Sequence, residues 1–174
     1  DTKTVHVFAH GNPTAFYNEN VSKKERDRGL GTINSGSALN NVLNQGSNLW
    51  KNSASKEGFT VVLHSCRTGR CIIEENGKIT TSIASQISES KEMKGVTIIA
   101  PDERDWITSS GLELGPQVTK NANQNGDVKK GEKPIRTNEY GHWNSFQNGK
   151  MKDQKPGNTR PEGKDQRSWW DKIF

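Results

Sequence analysis

Cysteine is scarce in this 174-residue chain, occurring only at Cys66 and Cys71. Two cysteines are too few for a disulfide scaffold, and their C-x4-C spacing fits neither a zinc pattern nor a thioredoxin-type redox pair. Free thiols working in a reducing compartment are the expectation. Long apolar runs are missing too: no stretch approaches the roughly 18 residues of a membrane-spanning helix. No basic region followed by an apolar one opens the chain, so a signal peptide is not expected. Hydrophobic residues make up 29% and charged residues 26%. Not every segment can bury a face at that composition, and part of the chain must be loop, tail or binding surface. The start at Asp1, directly before a strand-like run, suggests a domain cut from a longer parent.

The formal net charge of +5 is unevenly placed. Residues 1–119 balance 13 basic against 13 acidic side chains, whereas residues 120–174 carry 12 basic and 7 acidic. A basic C-terminal third suits nucleic acid or an acidic protein, or is simply a solvated lysine-rich tail.

What is present is a repeated design. Residues 3–9 are nearly all β-formers and end at His10-Gly11-Asn12-Pro13, which reads as a central strand followed by a sharp break. Residues 14–35, with the charge run from Lys23 to Arg28, read as a long loop. Leu39, Val42, Leu43, Leu49 and Trp50 keep helical spacing over 37–52, with Ser35 or Ser37 as the cap. Residues 59–65 form a second strand that delivers Cys66 to a turn closed by Gly69. A hairpin is expected around Asn76-Gly77. A second helix follows over 80–92, capped by Thr80 or Thr81, with Ile79, Ile83, Ala84 and Ile87 on its stripe. Residues 95–100 make a third strand stopping at Pro101. The order βαβαβ predicts an α/β fold with a mostly parallel central sheet and helices on both faces. Short strands are expected around Trp106 and Glu113, and an edge strand over 140–146. The domain is read as 1–146, with 147–174 a basic, flexible extension whose Trp169-Trp170 and Ile173-Phe174 serve as a docking anchor.

Catalytic groups of open parallel sheets gather at the carboxyl ends of the strands. His10, Cys66 and the Pro101-Asp102 turn are therefore expected on one rim. A thiol beside an imidazole is a nucleophile with its own base. The backbone N–H groups of Gly11 and Cys66 are placed to hold an oxyanion. Taken singly, a cysteine after an apolar strand is usually an inert core residue; the matching strand ends are what raise the pair above that reading.

Strand–His10-Gly11 followed by strand–Ser65-Cys66-Arg67-Thr68-Gly69 resembles the caspase-like cysteine peptidases, metacaspases most of all, over residues 3–101. The resemblance implies a caspase-like three-layer sandwich, His10 as general acid/base and Cys66 as nucleophile. The residues carried over are His10, Gly11 and Cys66; around them His64, Arg67, Asp102 and Glu103 are expected to bind substrate. Relatives that prefer basic residues carry an acid two positions before the cysteine. His64 stands there in this chain, so Asp102, Glu103 or Asp105 would have to supply a negative pocket. A second resemblance covers residues 4–146. The order His-Gly-Asn-Pro, Leu-His-Ser-Cys-Arg-Thr-Gly, Ser82-Ile83-Ala84-Ser85-Gln86-Ile87, Gly95 to Pro101 and Gly141-His142-Trp143 is similar to a C-terminal toxin module of bacterial polymorphic, Rhs-type effectors. It implies delivery from a bacterium as part of a larger effector, action in the target-cell cytoplasm and a cognate immunity protein.

The expected function is a bacterial effector toxin acting as a cysteine peptidase on a target-cell protein or its own parent chain. Two alternatives stand beside it: a toxin that damages nucleic acid through its basic third, and a non-catalytic binding module. No cofactor and no metal are expected. His6 and His10 share a strand face but lie about 13 Å apart at roughly 3.3 Å per residue; His64 and Cys66, at i and i+2, are near enough to share an ion, but His64 is read instead as tuning the Cys66 thiolate or filling the pocket behind it.

Overall fold

The run Thr4–Phe8 forms strand β1, and Thr60–His64 forms β5, paired with it in parallel from Thr4↔Thr60 to Phe8↔His64. The computed structural model describes residues 3–17, 21, 22, 24, 25, 28 and 31–161. Between those strands lie a small antiparallel sheet, β2 (His10–Asn12), β3 (Ala15–Tyr17) and β4 (Thr32–Ile33), and two helices, α1 (Gly36–Gly46) and α2 (Asn48–Asn52). The hairpin β6 (Ile72–Ile73) and β7 (Ile79–Thr80), helix α3 (Ile83–Glu89) and a 3-10 turn at Lys91–Met93 lead to β8 (Thr97–Pro101), which pairs parallel to β5. Then come β9 (Arg104–Ile107), β10 (Glu113–Thr119), β11 (Arg136–Tyr140), β12 (His142–Gln147) and β13 (Lys150–Pro156). The main sheet runs β1-β5-β8-β12-β13 and a second sheet runs β11-β10-β9.

Side-chain alternation splits the main sheet into two unlike faces. Val61, Leu63, Ile98, Ala100 and Phe146 point to one side, where they bury against Leu39, Leu43, Trp50, Ile83, Ala84 and Ile87 of the helices. The other side carries a small cluster of Val62, Ile99 and Trp143 that contains no helix residue. Serine caps begin all three helices: Ser35, Ser47 and Ser82 each accept a backbone N–H from the first turn.

These observations overturn the expected mostly parallel sheet with helices on both faces, and with it the caspase-like three-layer sandwich. Among the described residues two strand pairings are parallel, β1–β5 and β5–β8, and the other seven are antiparallel. The helices cover one face only; on the other, β9 and β10 bring their side chains against β5. Smaller corrections follow from the same cause. β1 is an edge strand, with Phe8 64% exposed. β12 is internal rather than an edge, because Lys150–Pro156, read as part of a flexible extension, pairs along it. The 37–52 helix breaks at Ser47, which leaves Leu49 exposed, and Ile79 is exposed on β7 rather than on a helical stripe. Trp169-Trp170 and Ile173-Phe174, and most of the Lys23 to Arg28 run, lie outside the described residues. No helix among the described residues is long and apolar enough to cross a membrane.

Candidate active site

β1 and β5 are neighbours in register, so the turns that follow them emerge side by side. The Ala9 N–H still donates to the His64 carbonyl at 3.2 Å, after which the chain turns into β2 at His10. Two devices hold the turns together. The first N–H groups of α3, which have no partner within the helix, donate to the carbonyls of Pro13 and Thr68 at 2.9 and 3.1 Å. One helix end thus ties the turn after His10 to the turn after Cys66. The second device is close approach. A Cβ at Gly11 would meet Thr68 Cγ2 at 2.8 Å, and one at Gly69 would meet the Ala100 carbonyl oxygen at 2.5 Å.

The Cys66 turn is tightly specified. Thr68 Oγ1 donates to the Ser65 carbonyl at 3.0 Å, and the Arg67 and Gly69 N–H groups donate to the carbonyls of Glu103, just past β8, and Pro101, its last residue. Arg67 adopts a left-handed φ of 61°, a conformation that non-glycine residues enter at a cost and that clusters near functional sites. Its guanidinium pays that cost back through Asp127 Oδ1 at 2.6 Å and the Asn125 carbonyl at 2.8 Å.

A cleft of about 350 Å³ opens where the two turns meet, lined by Phe8, Ala9, His10, His64, Ser65, Cys66, Asp105, Trp106 and Ile107. His10 and Cys66 thus share one cavity, as the strand-end argument requires. Cys66 is a free, half-buried thiol with Sγ 3.9 Å from the Asp105 carbonyl oxygen. Burial pushes its pKa above the ordinary thiol value, while the Arg104 charge pulls the other way. Burial thus favours the neutral thiol over the thiolate.

Beneath it, His64 is enclosed. Phe8 stacks on its ring at 4.3 Å and 9°, and Trp143 meets it edge-on at 5.7 Å. Its Nε2 lies 2.8 Å from His6 Nδ1, and its Nδ1 bonds the Glu113 carboxylate and faces Asp105 Oδ2 at 3.6 Å. Burial works against the imidazolium, yet the Asp105 and Glu113 carboxylates outweigh it and raise the His64 pKa. Burial raises the Asp105 carboxyl in turn, against the pull of His64.

Three expected substrate contacts lie elsewhere. Arg67 turns to Asp127. Asp102 and Glu103 line a different cavity of about 480 Å³, together with Arg70, Cys71, Tyr140 and His142. There Asp102 accepts from the His142 backbone N–H at 2.6 Å and holds its ring Nδ1 at 3.0 Å, and Glu103 pairs with Arg70. Of the three acids weighed for a negative pocket, only Asp105 lines the Cys66 cleft. Glu113 and the His6–His64 contact went unforeseen: β10 is a polar, glycine-interrupted stretch with no pattern that aims Glu113 at β5.

The chain belongs to the DUF8616 family. That family, a domain of unknown function, has a model matching residues 1–115. No curated protein and no solved structure matches the chain. The DUF8616 segment contains every residue of the Cys66 cleft together with His6 and Glu113. His142, Tyr140 and Asn144 of the larger cavity fall beyond it.

Proposed function

We propose that the chain is a cysteine peptidase-type toxin domain of a bacterial effector. The observation that carries this reading is that His10 and Cys66, delivered by adjacent parallel strands, line one cleft. Burial disfavours the thiolate, so the reaction begins with general-base help. His10 takes the Cys66 proton as Sγ bonds to the substrate carbonyl carbon. The carbonyl oxygen gains negative charge, which the N–H groups of Gly11 and Cys66 stabilise. Collapse breaks the C–N bond, and His10 returns the proton to the leaving amine. Water then cleaves the thioester and restores the thiol. The substrate is a protein of the target cell or the parent chain, and a cognate immunity protein is the expected partner; motif order supports this setting.

The test is toxicity on expression inside bacterial cells, with Cys66→Ala and His10→Ala compared with the parent chain and folding checked by circular dichroism. Cys71→Ser, outside the cleft, serves as the control that retains toxicity. Both cleft variants are expected to be harmless while folded. Full toxicity of folded Cys66→Ala would remove the mechanism, and nucleic-acid damage persisting in that variant would favour the basic C-terminal third as the working surface.

A further inference from the structure

The His64 cluster brings two carboxyl groups to a single ring nitrogen. The Asp105 side chain is 2% exposed, and neither of its carboxylate oxygens has a hydrogen-bond partner. Its 3.6 Å approach to His64 Nδ1 is an ion-pair distance, too long for a hydrogen bond. The same nitrogen bonds Glu113. A ring nitrogen carries one proton at most. If Glu113 receives it, the Asp105 carboxyl is left buried without a hydrogen bond from the ring, a position that a carboxyl satisfies by holding a proton itself or by meeting a cation.

The geometry points to that cation being a metal ion: we propose that His64 Nδ1, Asp105 and Glu113 form a divalent transition-metal site, with Zn²⁺ the best fit. The three ligand atoms all lie within 4.8 Å of one another. A tetrahedral zinc ion with bonds of roughly 2.0–2.2 Å spaces its ligand atoms about 3.3 Å apart. The His64–Asp105 separation is already close to that. Glu113, whose side chain is 30% exposed, has room to draw back from the ring. His6 completes the arrangement from outside. With His64 Nε2–H donating to His6 Nδ1, the His64 Nδ1 lone pair points at the two acids, the tautomer a metal needs. A nitrogen with two carboxylates suits zinc better than calcium or magnesium, which prefer all-oxygen shells. Three protein ligands leave a fourth position, and since His64 and Asp105 line the Cys66 cleft, that position opens toward it. The proposal does not depend on Cys66 being a nucleophile.

The experiment is zinc titration of the chelator-treated, tag-free full chain by calorimetry, with cobalt substitution read by absorption. One ion per chain is expected, with a tetrahedral cobalt spectrum free of a thiolate charge-transfer band. Asp105→Asn and Glu113→Gln should each weaken binding by tenfold or more. His6→Gln should weaken it by about 10- to 100-fold through the outer shell, and Cys66→Ala should leave it unchanged. Asp105→Asn is nearly isosteric and replaces a buried carboxyl that accepts no hydrogen bond, so the metal-free variant should melt no lower than the parent chain. A fall in melting temperature would mean that the carboxylate is already satisfied by His64, against the proposal. Absence of binding, binding indifferent to Asp105→Asn and Glu113→Gln, or a thiolate band lost with Cys66→Ala would each overturn it.

Discussion

Gly11 and Thr68 are packed so closely that a single methyl at position 11 would sit 2.8 Å from Thr68 Cγ2, with Ser65 Cβ at 3.0 Å on its other side. Thr68 is fully buried and bonded into its own turn, so it has no room to yield. Gly11→Ala should therefore cost about 1–3 kcal/mol of stability, measurable by urea denaturation, and should reduce any Cys66-dependent activity by parting the turns. Thr68→Ser in the same chain removes the opposing methyl and should recover part of both losses. No recovery would place the strain elsewhere.

The protonated state of Cys66 has a pH signature. Its pKa is raised by burial, so less thiolate is present at neutral pH than in an ordinary thiol of pKa about 8.5. Alkylation followed by mass spectrometry should modify the exposed Cys71 first at pH 7. The Cys66 rate should climb as the pH passes above the ordinary thiol range. A fast Cys66 rate that does not change between about pH 6 and 9 would instead reveal a preformed thiolate–imidazolium pair, and the general-base step would have to be abandoned.

Arg67 tests the turn itself. Arg67→Ala and Arg67→Gly both lose the contacts to Asp127 and Asn125, but only alanine still carries the cost of the left-handed φ. Both variants should be less stable than the parent chain. The glycine variant should exceed the alanine variant by about 1 kcal/mol. The reverse order in chemical denaturation would contradict the turn conformation.

Much of the frame could be read from the chain alone, and the reasons are local. β1, β5 and β8 are dense in β-branched residues, and Gly11 and Gly69 mark the turns that follow two of them. That His10 and Cys66 line one cleft follows from adjacent parallel strand ends, and helices do occupy the stretches where apolar spacing put them. What escaped was long-range and polar. Glu113 reaches His64 across 49 positions, and nothing in the residues around either one advertises the contact. Lys150–Pro156 has nearly every side chain exposed, so no apolar alternation marks it as a strand; its place comes from pairing with β12. The covering of the second face by β9 and β10 was hidden in the same way, since those strands bring the Asp105 and Glu113 carboxylates to it rather than an aliphatic stripe.

The position of β12 between β8 and β13 has a consequence for where the molecule can be divided. The DUF8616 match stops at residue 115, within β10, yet Trp143 and Phe146 of β12 complete the two apolar clusters of the main sheet. A chain shortened to the matched segment would uncover the pairing edge of β8 and bare Ile98 and Ile99, an unpaired hydrophobic edge of the sort that draws strands from other molecules. The boundary of the family match and the boundary of the folded sheet therefore differ: the matched residues do not include the strand that covers the β8 edge.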